Sequence, residues 1–235
     1  TKLAHKLPCQ CHICWQFDDC LCSRCAKYVE LHPPICPNCH KINNNYRTCS
    51  ACKITDKRYL DGCIIWFRYK NPIKQLITSL KFSSCTQYAD FLGKKLAHCM
   101  LTTSALQYNH KNHWWSERQA ILTEVPSSFL KQMFYRWYNQ SALLTRSVAQ
   151  SLELEHQTFF NKHMFAKSQI WYSKQDRHKN AHASFSLRNA PPRHAQIIIV
   201  DDVITTWATL NTLAFLLKQA TPSVNVRWAV LARNG

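Results

Sequence analysis

Residues 197–210 read IIIVDDVITTWATL: four apolar residues, two aspartates, a threonine-rich turn and the opening of a helix. An unbroken apolar run of this length is what a strand carries when a parallel sheet is covered on both faces. In such sheets ligands sit beyond the carboxyl ends of the strands, and there the chain places Asp201 and Asp202. Two adjacent carboxylates can accept hydrogen bonds from a ribose diol, and the backbone N–H groups of Thr205 to Thr209, at a helix N-terminus, can meet a phosphate. A pair of aspartates before threonine also serves as an N-cap and solvated turn; its place after the apolar run favours the ligand site. Such a phosphate loop wants glycine where this chain has Trp207. An indole there takes up phosphate volume, and a positive φ in a phosphate nest strains tryptophan by about 1 to 3 kcal/mol. If the indole points outward, the loop keeps its phosphate-binding shape.

Outward from this stretch, strands are expected at GCIIWFRY (62–69), AILTEVP (120–126, ended by Pro126) and SVNVRWAVLA (223–232). Helices are expected at 72–82, with Ile73, Leu76, Ile77 and Leu80 on one face and Pro72 as first residue, and then through Leu92 and Leu96. Two more follow: 139–152 with Leu144, Val148 and Leu152, and 208–219 with Leu210, Leu213, Ala214 and Leu217. The polar, aromatic stretch YNHKNHWWSERQ (108–119) reads as a loop. Strands alternating with helices indicate a doubly wound α/β fold with a parallel sheet.

Ten of the thirteen cysteines precede residue 53, which puts a module boundary near residue 55: a cysteine-rich domain over 1–55 and the α/β domain over 56–235. Four CxxC pairs follow one another: Cys11 and Cys14, Cys22 and Cys25, Cys36 and Cys39, Cys49 and Cys52. One tight turn lets two thiolates reach the same ion, and a second knuckle closes a tetrahedron, so eight cysteines make about two structural zinc sites with no open coordination position. A module too small for its own core gains folding free energy from such ions. Sequential pairing of the knuckles is expected; an interleaved arrangement, and replacement of a ligand by His12 or Cys9, satisfy the same spacing. Cys9 and Cys20 read as spares. A disulfide framework is the competing reading, without a secretory signal to support it.

Lys and Arg outnumber Asp and Glu by 30 to 13, a net charge of +17, which favours a polyanionic partner, nucleic acid first. No run of about 18 apolar residues appears, and TKLAHKLPCQC at the start lacks an apolar signal core. The expected compartment is cytoplasmic; a leader ahead of Thr1 stays open. Only three glycines occur, so turns with positive φ fall to other residues.

With these pieces in order, the chain resembles the ComF family, which joins a double zinc ribbon to a type I phosphoribosyltransferase fold. The four knuckles match the ribbon, LITSLKF matches the family's Leu-Lys-aromatic segment, and EVP matches its Val-Pro turn. RWYNQ (136–140) stands for RGFNQ; Gln169, Ser173, Arg177, Asn180 and Phe185 match a further block; and VDDVITTWAT stands for VDDVITTGAT, the signature for phosphoribosyl pyrophosphate (PRPP). The resemblance implies that Asp201 and Asp202 meet the ribose hydroxyls, that Thr205, Thr206, Ala208 and Thr209 with Trp207 form the 5′-phosphate loop, and that Arg136, Asn139 and Gln140 line the site. It also implies magnesium with the pyrophosphate, and a role in natural competence, where internalised single-stranded DNA is handled in the cytoplasm. Trp207 and Trp137, both in place of glycine, argue against PRPP binding.

Three functions are therefore weighed. A competence factor would bind single-stranded DNA by stacking bases on Trp114, Trp115, Trp137, Trp171 and Trp207 and by tracking phosphates with Lys70, Lys74, Lys81, Arg136, Lys174, Arg177 and Lys179. A phosphoribosyltransferase with an unknown acceptor would use Asp201, Asp202 and Arg136 at the reacting ribose. An adaptor would recruit DNA-uptake or helicase machinery through its ribbons.

Overall fold

The computed structural model describes residues 10–44, 46–55, 59–82, 86–102, 120–127, 138–163, 184–204 and 207–233. In chain order its elements are α1 (Ser23–Ala26), α2 (Ser50–Thr55), β1 (Gly62–Arg68), α3 (Ile73–Phe82), α4 (Gln87–Thr102), β2 (Ala120–Glu124), α5 (Gln140–Leu152), β3 (Glu155–His156), β4 (Phe160–Lys162), β5 (Phe185–Leu187), β6 (Gln196–Ile204), α6 (Trp207–Ala220) and β7 (Asn225–Arg233). Five strands form one sheet in the order β1-β7-β6-β2-β3, parallel throughout, and β4 and β5 pair antiparallel beside it.

Side-chain alternation along β6 divides the interior in two. Ile198 and Val200 pack with Leu76, Leu80, Leu92, Leu96, Leu144 and Val148 of α3, α4 and α5. Ile197 and Ile199 pack on the opposite face with Leu210, Leu213 and Leu217 of α6 and with Phe160 and Phe185 of the small hairpin. Each face therefore has its own core, as a doubly wound sheet requires.

The strand does not stop at the aspartates, as the sequence suggested. Val203 and Ile204 are buried and continue in register with Ala232 and Arg233, so β6 runs through both carboxylates. The gain of two buried apolar residues and their ladder bonds outweighs an early turn. The pairs β3 and β4–β5 were not anticipated, being too short to show periodicity. The stretch 108–119 lies outside the described residues.

Edge strand β1 is covered by the cysteine-rich segment. Leu31 bridges Phe67 and Arg47 bridges Gly62, both antiparallel, while the amides of His32, Arg68 and Cys63 bond to the carbonyls of Trp66, Glu30 and Tyr46. Gly62 is required by this approach: a Cβ there would lie 2.6 Å from the Tyr46 carbonyl oxygen. Cys20 and Ile35 of the same segment are buried in the two cores of the sheet.

Gly93 plays the equivalent part between α4 and α5, where a Cβ would come within 2.5 Å of Ser147 Cβ. Relief needs backbone movement of one helix, so Gly93→Ala is expected to destabilise the chain by about 1 to 3 kcal/mol. Urea denaturation of the two proteins measures it; an unchanged midpoint would show that the helices part easily.

Candidate functional site

Helices α3 and α5 end and begin, respectively, over the carboxyl end of β6, and each sends one side chain to the acid pair. Lys81, in the last turn of α3, places Nζ 3.0 Å from Asp202 Oδ1, with both side chains largely buried. Ser141, at the start of α5, donates its hydroxyl to Asp201 Oδ1 at 2.8 Å, and the Asp202 amide donates to the same oxygen at 2.9 Å. Burial pushes the Asp201 carboxyl up to about 7, and the negative Asp202 beside it adds to the shift; Ser141, the Asp202 amide and the Lys81 cation pull the other way. One carboxylate with a cation and one carboxyl near its titration point is the result.

Asn139 caps α5, its Oδ1 accepting from the Ser141 amide at 3.1 Å, while its Nδ2 donates to the Val125 carbonyl at 3.0 Å. It thus ties the end of β2 to the helix that carries Ser141. Gln140 is buried beside it. Lys81, expected among the phosphate-tracking cations, stands instead in the acid pair's site. Arg136, Thr205, Thr206, Lys174, Arg177 and Lys179, and Trp114, Trp115, Trp137 and Trp171, lie outside the described residues.

Trp207 is the first residue of α6 and is not in the left-handed region, so the strain expected of a tryptophan in a phosphate nest is absent. Its indole stacks on the His40 ring at 4.7 Å and 26°, with the Arg233 guanidinium 5.6 Å from its centroid. The side chain that replaces glycine thus faces the cysteine-rich segment. Ala208 and Thr209 follow in the first turn of the helix.

The cysteines gather in two groups, Cys11, Cys14, Cys22 and Cys25, and Cys36, Cys39, Cys49 and Cys52, with all Sγ atoms of a group within 4.8 Å of one another. A tetrahedron with metal–sulfur arms of about 2.3 Å has edges of about 3.8 Å; the pairs Cys14–Cys22 and Cys39–Cys49 are 3.6 and 3.8 Å apart. These distances far exceed a disulfide bond, and none of the described cysteines is in a disulfide. Amides point at the sulfurs: Cys25 at Cys22, and Asn38 and Cys49 at Cys36, each at 3.4 Å. Burial alone would raise the Cys11 and Cys36 thiols, yet backbone N–H groups bring them down to about 6 and about 7, while Cys25 and Cys52 are pushed up to about 12 by burial and by the neighbouring sulfurs. Each group can hold one metal ion, which would deprotonate the remaining thiols. His12 is not among the ligands: its Nε2 lies 2.7 Å from Ser79 Oγ and its Nδ1 2.9 Å from Tyr88 OH, fastening the first knuckle to α3 and α4. Cys20 is buried in the core of the sheet rather than in a metal group; Cys9 lies outside the described residues.

One feature escaped the sequence reading. Glu124, at the end of β2, is buried with His156 Nε2 at 2.7 Å and Thr158 Oγ1 at 2.8 Å. Burial would raise its carboxyl, but these two partners hold it below the usual range. Nothing in the spacing of Glu124, His156 and Thr158 announces the cluster, because β3 that delivers His156 is two residues long.

The acid pair has a pH signature. A carboxyl raised from 3.8 to about 7 keeps its proton in the folded chain where the unfolded chain has released it, so this group's contribution to stability falls as pH rises between about 4 and 7. Asp201→Asn is expected to remove that slope and to be relatively more stable than the parent above pH 7. Thermal melting of both proteins across the window checks it; parallel profiles would show that Asp201 titrates normally.

No family model matches the chain. It is similar to "Competence protein F" of Haemophilus influenzae, with 29% identity over 204 residues, 85% of this chain and 84% of that protein. It is also similar to "DNA utilization protein YhgH" of Escherichia coli K12, with 25% identity over 202 residues, 84% and 83% of the two chains. Among solved structures, glutamine PRPP amidotransferase from B. subtilis aligns with a TM-score of 0.38 and 18% identity over 60% of this chain and 25% of that one. Hypoxanthine phosphoribosyltransferase from Staphylococcus aureus aligns with a TM-score of 0.37 and 10% identity over 63% and 64%. The chain thus spans about a quarter of the amidotransferase and somewhat under two thirds of the other enzyme. Two four-cysteine groups precede a parallel sheet with helices on both faces, and relatives named for competence and DNA utilization align along most of the chain: in sequence and in this order of parts it resembles the ComF family.

Proposed function

We propose that the chain handles single-stranded DNA in the cytoplasm during natural transformation, and that its phosphoribosyltransferase-type pocket does not turn over PRPP. The observation that carries the second part of this reading is the Lys81–Asp202 ion pair at 3.0 Å. A ribose diol would have to displace a largely buried ammonium group from the carboxylate meant to receive it, and truncating such a pair is costly. The names of the relatives, competence and DNA utilization, agree with the first part, and so does a net charge of +17. Lys174, Arg177, Lys179 and Arg136 remain the proposed phosphate contacts, and DNA-uptake or helicase machinery the proposed protein partner.

An active PRPP-dependent transferase is the second reading, favoured by an acid pair at the carboxyl end of a parallel strand beside a helix N-terminus. In it Asp201 and Asp202 would accept from the ribose hydroxyls, Lys81 would swing to the pyrophosphate, and Ala208 and Thr209 would meet the 5′-phosphate with Thr205 and Thr206. Magnesium, when bound with pyrophosphate, would supply charge neutralisation of the leaving group. A ligand bound only by the folded state raises its melting temperature, by about 2.7 kcal/mol of stability at a hundredfold excess over Kd. Single-stranded oligonucleotide is expected to raise it for this chain, PRPP with magnesium not. The reverse pattern would establish the transferase.

Residues 1–55 are proposed as a double zinc ribbon and 56–235 as a phosphoribosyltransferase-like domain. Zinc is chosen because closed sites of four thiolates suit it and leave no position for substrate. Metal analysis is expected to find about two zinc ions per chain, and Cys36→Ser to lose one of them together with several degrees of melting temperature. A chelated protein with an unchanged melting curve would refute this.

A further inference from the structure

The residue after each first CxxC of a metal group has the same backbone: Trp15 at φ 62 and His40 at φ 61. Each closes its knuckle by donating its amide back to the first cysteine's carbonyl, Trp15 to Cys11 at 2.8 Å and His40 to Cys36 at 3.0 Å. The left-handed region suits glycine or asparagine and strains a bulky residue. His40 recovers part of this by stacking on Trp207. Trp15 does not: it is 68% exposed, and its one ring neighbour among the described residues, His12, is tilted at 51° and 6.0 Å away. A strained, exposed indole with an open face is an arrangement that folding alone does not select.

That face borders a cavity of about 550 Å³ between the first knuckle and α3. His12, held rigidly by Ser79 and Tyr88, forms a second aromatic wall. Asn71, Lys74, Gln75 and Thr78 supply amides, a hydroxyl and a cation, and no acidic residue lines the space. The volume is in the range of ligand sites. An aromatic platform, hydrogen-bonding edges and one cation without an opposing carboxylate match the parts of a nucleotide in turn: base face, base edge and phosphate. We propose that this cavity is a stacking site for a base of single-stranded nucleic acid, with Trp15 as the platform and Lys74 on the adjoining phosphate. It rests on the single-strand reading above, where Lys74 is already one of the phosphate-tracking cations, and adds to it a stacking platform on the first cysteine knuckle.

The test is fluorescence anisotropy of a labelled oligothymidylate with the zinc-loaded full chain at several salt concentrations. Trp15→Gly is the informative variant, because glycine relieves the left-handed strain and so leaves folding intact or improved; its melting temperature is read alongside. Loss of one stacked base is expected to weaken binding roughly five- to hundredfold with the salt slope unchanged. Lys74→Ala is expected to flatten that slope by about 0.7 in log K against log salt. If the parent binds and Trp15→Gly binds within twofold of it, this site is wrong while the single-strand reading stands. If the parent binds no single strand at low salt, both fall.

Discussion

A strand with no solvent on either face governs the rest of this structure. Once Ile197 to Val200 are packed between two helical layers, the backbone that continues them carries Asp201 and Asp202 into surroundings of low polarity. Two ionised carboxylates cannot share such a place without help. The ends of α3 and α5 supply it, a cation from one and a hydroxyl from the other, and those helix ends are themselves fixed by the Asn139 cap and by the bond from the Tyr138 hydroxyl to the Leu80 carbonyl. Fold and acid chemistry are here a single constraint seen from two sides.

The cysteine-rich segment is joined to that frame at several points of different character. His12 reaches two helices through both ring nitrogens, His40 stacks on the first residue of α6, and Glu30 pairs with Lys70 beside Arg68 at the end of β1. Ribbon and sheet are therefore not beads on a string. The third knuckle, Cys36 to Cys39, touches Trp207 through His40, so a metal ion held there would be mechanically connected to the geometry at the start of α6.

The main elements could be read from residues because their signals are local. The apolar spacing of Ile73, Leu76, Ile77 and Leu80, or the unbroken Ile197 to Val200, reports burial directly, and CxxC spacing reports sulfurs that gather in fours. The partners of the acid pair could not. Lys81 reads as one cation in an excess of them, and only packing reveals that its ammonium group is enclosed; Ser141 is an ordinary second helical residue until β6 is laid beneath it. Which of the two settings open to Trp207 is taken could not be read for a related reason: its indole is placed by a ring far away in the chain, that of His40. Glu124, His156 and Thr158 meet across a sheet edge too short to leave a pattern.

The covering of β1 carries a further meaning. Its outer edge carries backbone amides and carbonyls along a stretch as apolar as Cys63 to Phe67, and short segments near Leu31 and Arg47 pair with it. Those segments have little regular structure of their own and lie between cysteines whose groups can each hold an ion. A chain deprived of its ions would uncover this edge before its cores came apart, and an uncovered edge recruits other strands. Metal supply would then govern solubility ahead of activity, and the surviving sheets would be lost by assembling with one another rather than by unfolding.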